Sequence, residues 1–298
     1  MKEGAQFLTA LAKSARMFFP AARGCTERHA EICAWLLDPL ARWGRAAYGE
    51  GVFEQAAKGY ARYCMHVSLA QRTYEKEGRY TPDRLPDIIE KVYENESYMT
   101  PYMWAAVLIY AFWESMVNHL MLFRGDFIRS LPPTPEVLEL ACGHGAMGLL
   151  ACEERRDLEL VGLDIGPAAI RIARDLARVS GHEGRAQFFL GDVLATGSLA
   201  NGREFDGVMA AMIAEHLVDP RPLFRSVADA LKTNGLAFVS TALESPQCDH
   251  VFEFHRESEL VSLAEEAGLR VTRLVSDGGA VPPGMRFRPR ALAMILTK

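Results

Sequence analysis

The sequence predicts an α/β protein, with a doubly wound, mostly parallel sheet in its C-terminal part and an all-α domain before it. Three observations predict this. Up to residue 130, Ala, Leu and Met recur at three- and four-residue spacing, and Gly and Pro are read as junctions between helices. Leu131-Pro132-Pro133-Thr134-Pro135 then stops the helical pattern, because proline lacks an N–H and restricts the residue before it. Beyond that stop, short apolar runs alternate with helical stretches, as in βαβ units around a parallel sheet.

Helices are expected near residues 3–18, 26–47, 52–77, 84–95 and 101–128. The most apolar window, 103–113, ends at Glu114, short of the roughly 18 residues a bilayer span needs, so it reads as a buried helix. Residues 1–130 are expected to form one domain and residues 131–298 another. Strands are expected at 136–140, 159–164, 186–190, 205–210, 236–241, 270–276 and 290–297, with helices between consecutive strands up to the sixth. Residues 277–284 are too few, and too rich in Gly and Pro, for a crossover helix, so the last strand is expected to return as an antiparallel hairpin.

Composition narrows the function. The 298 residues are 49% hydrophobic and 24% charged, which is globular and excludes wholesale disorder. Net charge is -5 and no Lys/Arg run exceeds two residues, so no basic stripe tracks a phosphate backbone and nucleic acid is not an expected partner. Six scattered cysteines, with no Cys-x-x-Cys pair, read as buried reduced thiols of a cytoplasmic protein. Lys13 and Arg16 interrupt the apolar start, so neither export nor a membrane partner is expected.

The chemistry-bearing residues lie at strand ends. Glu139-Leu140-Ala141-Cys142-Gly143-His144-Gly145 places small residues where the first strand turns into a helix, so that a ligand can approach backbone N–H groups closely. A carboxylate there would repel a pyrophosphate, so Glu139 suits a cationic ligand. Twenty-five residues on, Asp164 ends the second strand, where a ribose diol would be gripped. Twenty-eight further, Asp192 follows the third strand in Gly191-Asp192-Val193.

With these three carboxylates, residues 136–298 resemble the class I S-adenosylmethionine-dependent methyltransferases. The likeness extends to Phe205-Asp206-Gly207-Val208-Met209-Ala210-Ala211-Met212, to Glu215-His216-Leu217-Val218-Asp219-Pro220, and to the turn Leu231-Lys232-Thr233-Asn234-Gly235 before the fifth strand. It implies a Rossmann-like, seven-stranded sheet of order 3-2-1-4-5-7-6 with the last strand antiparallel. It also implies that Glu139 and the backbone of Ala141, Cys142, Gly143 and Gly145 hold the methionine part of S-adenosylmethionine. Asp164, with Ile165 beside it, would take the ribose hydroxyls, Asp192 and Val193 the adenine, and Ala210 and Ala211 would line the methionine end. The product would be S-adenosylhomocysteine. Ala141 departs from the glycine frequent there, by one methyl group.

The sulfonium already activates the methyl group, so positioning and water exclusion do most of the work. His216 is the candidate general base, since the loop after the fourth strand faces the methyl in the resembling family and histidine titrates near neutrality; loop shaping is its bland alternative. Asp249, His250, Glu253 and His255 form a cluster that could bind a metal, but they are read as solvated residues at a helix start, and no metal site is assigned. His144 is read as loop surface. The aromatics from Tyr93 to Trp113 suggest a lid over an apolar substrate, with Tyr98 singled out as a second catalytic candidate. The expected activity is methylation of a small apolar or aromatic metabolite, of the kind made in natural product biosynthesis, at O, N or C. The helical domain would shape the pocket and offer a homodimer interface. The alternatives are a protein or peptide acceptor, or a catalytically silent relative that kept the fold.

Overall fold

The computed structural model describes residues 2–82, 85–195, 202–276, 281 and 283–298. The N-terminal part contains α1 (Ala5–Ser14), α2 (Phe19–Arg28), α3 (Ala30–Tyr48), α4 (Gly51–Glu77), α5 (Leu85–Ile88), α6 (Glu96–Phe112) and α7 (Glu114–Leu122). A π-turn, Ile89–Tyr93, continues α5, and a second, Phe123–Phe127, continues α7.

The pattern of helix-forming residues extends past several breaks in the backbone. The helix expected over 3–18 ends at Ser14, and α2 starts anew with Pro20 in its first turn, where a missing N–H does no harm. Pro39 and Gly59, by contrast, lie inside helices and are not junctions. The helix expected over 84–95 begins on Arg84, outside the described residues. The one expected over 101–128 starts five residues earlier, because the Asn95 side chain caps α6 by accepting the Tyr98 N–H. It then breaks at Trp113 (φ -120°, ψ 127°), where the indole N–H donates to the Tyr60 hydroxyl at 2.9 Å and the chain bends by 86°. No single helix among the described residues is long and apolar enough to cross a membrane.

The sheet contains β1 (Glu136–Leu140), β2 (Glu159–Asp164), β3 (Ala186–Leu190), β4 (Phe205–Ala211), β5 (Leu231–Leu243), β6 (Arg270–Ser276) and β7 (Arg290–Thr297). Its order is β3-β2-β1-β4-β5-β7-β6, with β7 antiparallel to both neighbours and the pairs among β1 to β5 parallel, as expected. Among the described residues, four helices return the chain between strands: α8 (Ala146–Glu154), α9 (Pro167–Ser180), α10 (Arg221–Ala230) and α11 (Glu257–Glu266). The crossover helix expected between β3 and β4 falls largely on 196–201, and most of the 277–284 connection likewise lies outside the described residues. β5 is longer than expected: the turn read before it is a bulge within the strand, where register shifts against β4 and Asn234 takes a positive φ of 64°.

Two apolar clusters sandwich the sheet. Leu138 and Leu140 of β1 face the side covered by α10, whereas Val137 faces the helical region. There Phe123 and Phe127 pack on Phe238 of β5, with ring centroids 5.2 and 6.3 Å apart. Burying each such ring contributes roughly 1.5–3 kcal/mol. The N-terminal helices therefore share one core with the sheet, which holds them over the carboxyl ends of its strands. Five cysteines are buried as expected, but Cys248 is exposed.

α4 and α6 approach closely at Gly59, where an added Cβ would stand 2.3 Å from the Pro101 carbonyl oxygen. Gly59→Ala is expected to destabilise the protein by about 1–3 kcal/mol in denaturant unfolding. Gly51→Ala, with nothing within 4 Å of the new methyl, is expected to be neutral or to stabilise slightly. Equal stability of the two variants would contradict the packing described.

Candidate active site

The site grows from the turn after β1, at the point where the strand order reverses between β1 and β4 and ligands of open α/β sheets bind. Ala141, Gly143 and Gly145 there all have positive φ, of 54°, 53° and 67°. Asp164, at the end of β2, fastens this turn: its two carboxylate oxygens accept the Gly143 N–H at 2.8 Å and the Gly166 N–H at 2.7 Å. Desolvation nonetheless raises its pKa, with those two donors opposing.

Glu139 is 4% exposed, and its Oε2 has no hydrogen-bond partner. Burial pushes its pKa up to about 8, opposed by the Gly148 N–H and reinforced by the charge of Asp164. Gly148 is small for the same reason, since a Cβ there would lie 2.4 Å from that oxygen.

These groups open into one cavity of about 500 Å³. Its sheet side includes Glu139, Asp164 and Asp192; its helical side includes Tyr93, Tyr102 and Met103. Of the residues expected at a cofactor, Ala141, Cys142, Gly143, Ile165, Val193 and Ala211 also line it. Gly145 and Ala210 do not: Gly145 sits behind the turn, where its Cβ would meet Phe188 at 2.7 Å, and Ala210 is fully buried in β4. His144 is cavity wall, which corrects its reading as loop surface; its Nδ1 accepts the Ala146 N–H at 2.9 Å, and burial lowers its pKa to about 4.

His216 lines the cavity beside the exit of β4. Its Nδ1 lies 3.0 Å from the Asp249 carbonyl oxygen and 3.1 Å from the Tyr93 hydroxyl. The His250 ring stands perpendicular to it, centroids 4.8 Å apart. Asp249 and His250 are each 1% exposed and α11 begins only at Glu257, so the solvated helix start expected there does not exist. The Val251 and Phe252 N–H groups donate to the Glu215 carbonyl and draw this segment inward. His255 stays apart, 3.7 Å from Glu253 and 3.8 Å from Glu244.

Tyr98 lies outside the cavity wall. It stacks on Tyr102 at 5.9 Å, carries the Arg62 guanidinium over its ring at 5.0 Å, and points its hydroxyl at the Cys248 sulfur, 3.7 Å away. Sequence reasoning missed Tyr93 and Tyr102 as the hydroxyls at the wall, whose pKa values burial raises well above the ordinary tyrosine value. Nothing in the spacing distinguishes them from Tyr98.

Residues 134–274 match a family model described as a methyltransferase domain. A ubiquinone biosynthesis O-methyltransferase of Stutzerimonas stutzeri is 26% identical over 159 residues, covering 47% of this chain and 66% of that protein, just under two thirds of its length. Among solved structures, an O-methyltransferase family protein from Burkholderia thailandensis superposes with TM-score 0.53 at 15% identity, covering 81% of this chain and 71% of that one. Haemonchus contortus phosphoethanolamine N-methyltransferase 2, in complex with S-adenosyl-L-methionine, gives TM-score 0.52 at 15% identity, covering 72% of this chain and 60% of that one. At such identity the structures share the fold alone.

Ala141 bears a side chain at a backbone angle that favours glycine. Ala141→Gly is expected to keep or raise stability, by up to about 1 kcal/mol, and Ala141→Val to lower it by about 1–3 kcal/mol, in thermal unfolding. A reversed order would show that the turn is not held in this conformation.

Proposed function

Because residues 134–274 form an S-adenosylmethionine-dependent methyltransferase domain of the class I fold, we propose that this protein methylates an oxygen of a small apolar or aromatic molecule. The observation that carries this reading is one shared cavity, with buried carboxylates on its sheet side and tyrosine, methionine and aliphatic side chains on its helical side. An O–H acceptor is favoured because a curated relative is named an O-methyltransferase, and because a histidine stands where the two sides meet.

The chain's residues suit the cofactor. The unpartnered Glu139 oxygen suits an ammonium group, and the left-handed turn from Ala141 to Gly145 suits a close backbone approach. Asp164 and Ile165 would take the ribose hydroxyls and Asp192 and Val193 the adenine, and Ala211, which lines the cavity where Ala210 does not, would border the methionine end. S-adenosylmethionine supplies an activated methyl group and leaves as S-adenosylhomocysteine. Tyr93 and Tyr102 exclude water on the acceptor side, and His216 promotes loss of the acceptor's proton. A molecule of this size fits the enclosed wall, whereas a protein or peptide acceptor has no observation in its favour.

Calorimetry with S-adenosylmethionine tests the reading first, since a silent relative without the cofactor gives no heat. Glu139 supplies a sharper version. Its carboxyl is protonated below about pH 8, and only its anion pairs with the ligand's ammonium. Affinity should therefore rise roughly tenfold per unit from pH 6 towards 8, with proton release on binding. Glu139→Gln should bind weakly and lose that dependence; an unaltered pH profile would remove Glu139 from the cofactor. His216→Ala should slow turnover by ~10² to 10⁴ with cofactor affinity within a few-fold, product being followed by mass spectrometry. Retention of half the rate would assign proton removal elsewhere.

A further inference from the structure

Proton loss as proposed above employs His216 and leaves two buried neighbours at the same wall, Glu215 and His250, without a task. Resting on the methyltransferase reading and changing the part of His216 within it from free base to ligand, we propose that Glu215, His216 and His250 bind one divalent transition-metal ion, which polarises the acceptor hydroxyl.

The three residues each offer a ligand atom, none of these further than 4.8 Å from another, so a modest side-chain rotation closes them around an ion at about 2.1 Å. Each is already oriented by its other atom. His250 Nδ1 lies 2.6 Å from the Ser245 carbonyl oxygen and His216 Nδ1 3.0 Å from that of Asp249. A carbonyl only accepts, so both rings carry their hydrogen on Nδ1 and present the Nε2 lone pair. Glu215 Oε2 accepts the Thr241 hydroxyl at 2.6 Å, and its Oε1 is buried with no partner. Outer bonds of this kind fix tautomer and orientation in metal-ligating histidines and carboxylates.

Charge balance points the same way. Glu215 is fully buried, and Asp249 beside it is 1% exposed with Oδ1 unpartnered. Among the described residues no lysine or arginine pairs with either, and the basic group beside Asp249 is the His216 ring, whose Nδ1 lies 3.5 Å from Oδ2. Two buried carboxylates against one imidazole are costly, and a dication offsets that cost.

Two imidazoles and one carboxylate suit zinc, cobalt, manganese or iron(II) better than calcium or magnesium, which favour oxygen ligands. All three residues line the cavity, so further coordination positions face the acceptor. The hydroxyl O–H bond then breaks with its electron pair kept on oxygen, the proton leaves to solvent at the mouth of the cavity, where Ile165 and Val218 are exposed, and no oxidant or reductant is consumed.

Cobalt(II) is the probe. The full chain, stripped with chelator and titrated with cobalt(II) alone, is expected to develop visible d–d absorption that saturates at about one equivalent and is bleached by zinc(II). His250→Ala and Glu215→Gln should each weaken cobalt binding at least about tenfold while circular dichroism stays native. Should either fail to fold, His216→Asn carries the same expectation. Absence of the band in the wild type, or a band unchanged in the folded variants, overturns the site. Calorimetry with S-adenosylmethionine on the stripped protein keeps the two readings apart: cofactor binding without cobalt binding defeats the metal site alone, and cobalt binding without cofactor binding defeats the methyltransferase reading alone.

Discussion

Phe123 and Phe127, at the end of the helical region, rest on Phe238 in the middle of β5, and this contact fixes where the helices sit over the sheet. Without it the carboxyl ends of β1, β2 and β4 would open to solvent, as the ends of parallel strands otherwise do. With it, α6 and the π-turn before it cover those ends and bring Tyr93, Tyr102 and Met103 opposite Glu139 and Asp164. The close approach of α4 to α6, possible because residue 59 is glycine, backs the same wall from outside.

Enclosure has an electrostatic consequence. Glu139, Asp164 and Glu215 are withdrawn from water, and desolvation raises the pKa of each. Backbone N–H groups satisfy Asp164, and a hydroxyl satisfies half of Glu215, but one oxygen of Glu139 and one of Glu215 have no partner. Unmatched acceptors at two places in one cavity suit positively charged ligands, an ammonium at the first and a metal ion at the second under the roles proposed above. The apolar wall between them suits a small acceptor without charge of its own.

Much of the fold was legible in the residues. Strand positions followed from short apolar runs, and the Glu139, Asp164 and Asp192 ends came with them. What escaped has particular causes. Trp113 breaks a helix with neither glycine nor proline nearby, because its indole is drawn to Tyr60, a partner 53 residues away in sequence. The Lys232 to Gly235 turn became a bulge because pairing with β4 resumes on both sides of it. Asp249 and His250 read as solvated because their neighbours are charged; two backbone bonds to Glu215 bury them instead. Tyr98 was preferred to Tyr93 and Tyr102 because helical spacing places them near one another without saying which ring faces inward.

The most direct test of one shared cavity is a crystal structure with S-adenosylhomocysteine. Its ammonium should lie within hydrogen-bonding distance of Glu139, its ribose at Asp164, and its sulfur should face the helical wall between Met103 and His216. A sulfur directed away from that wall, or a ligand seated elsewhere on the chain, would contradict the shared cavity and with it the methyl-transfer function proposed.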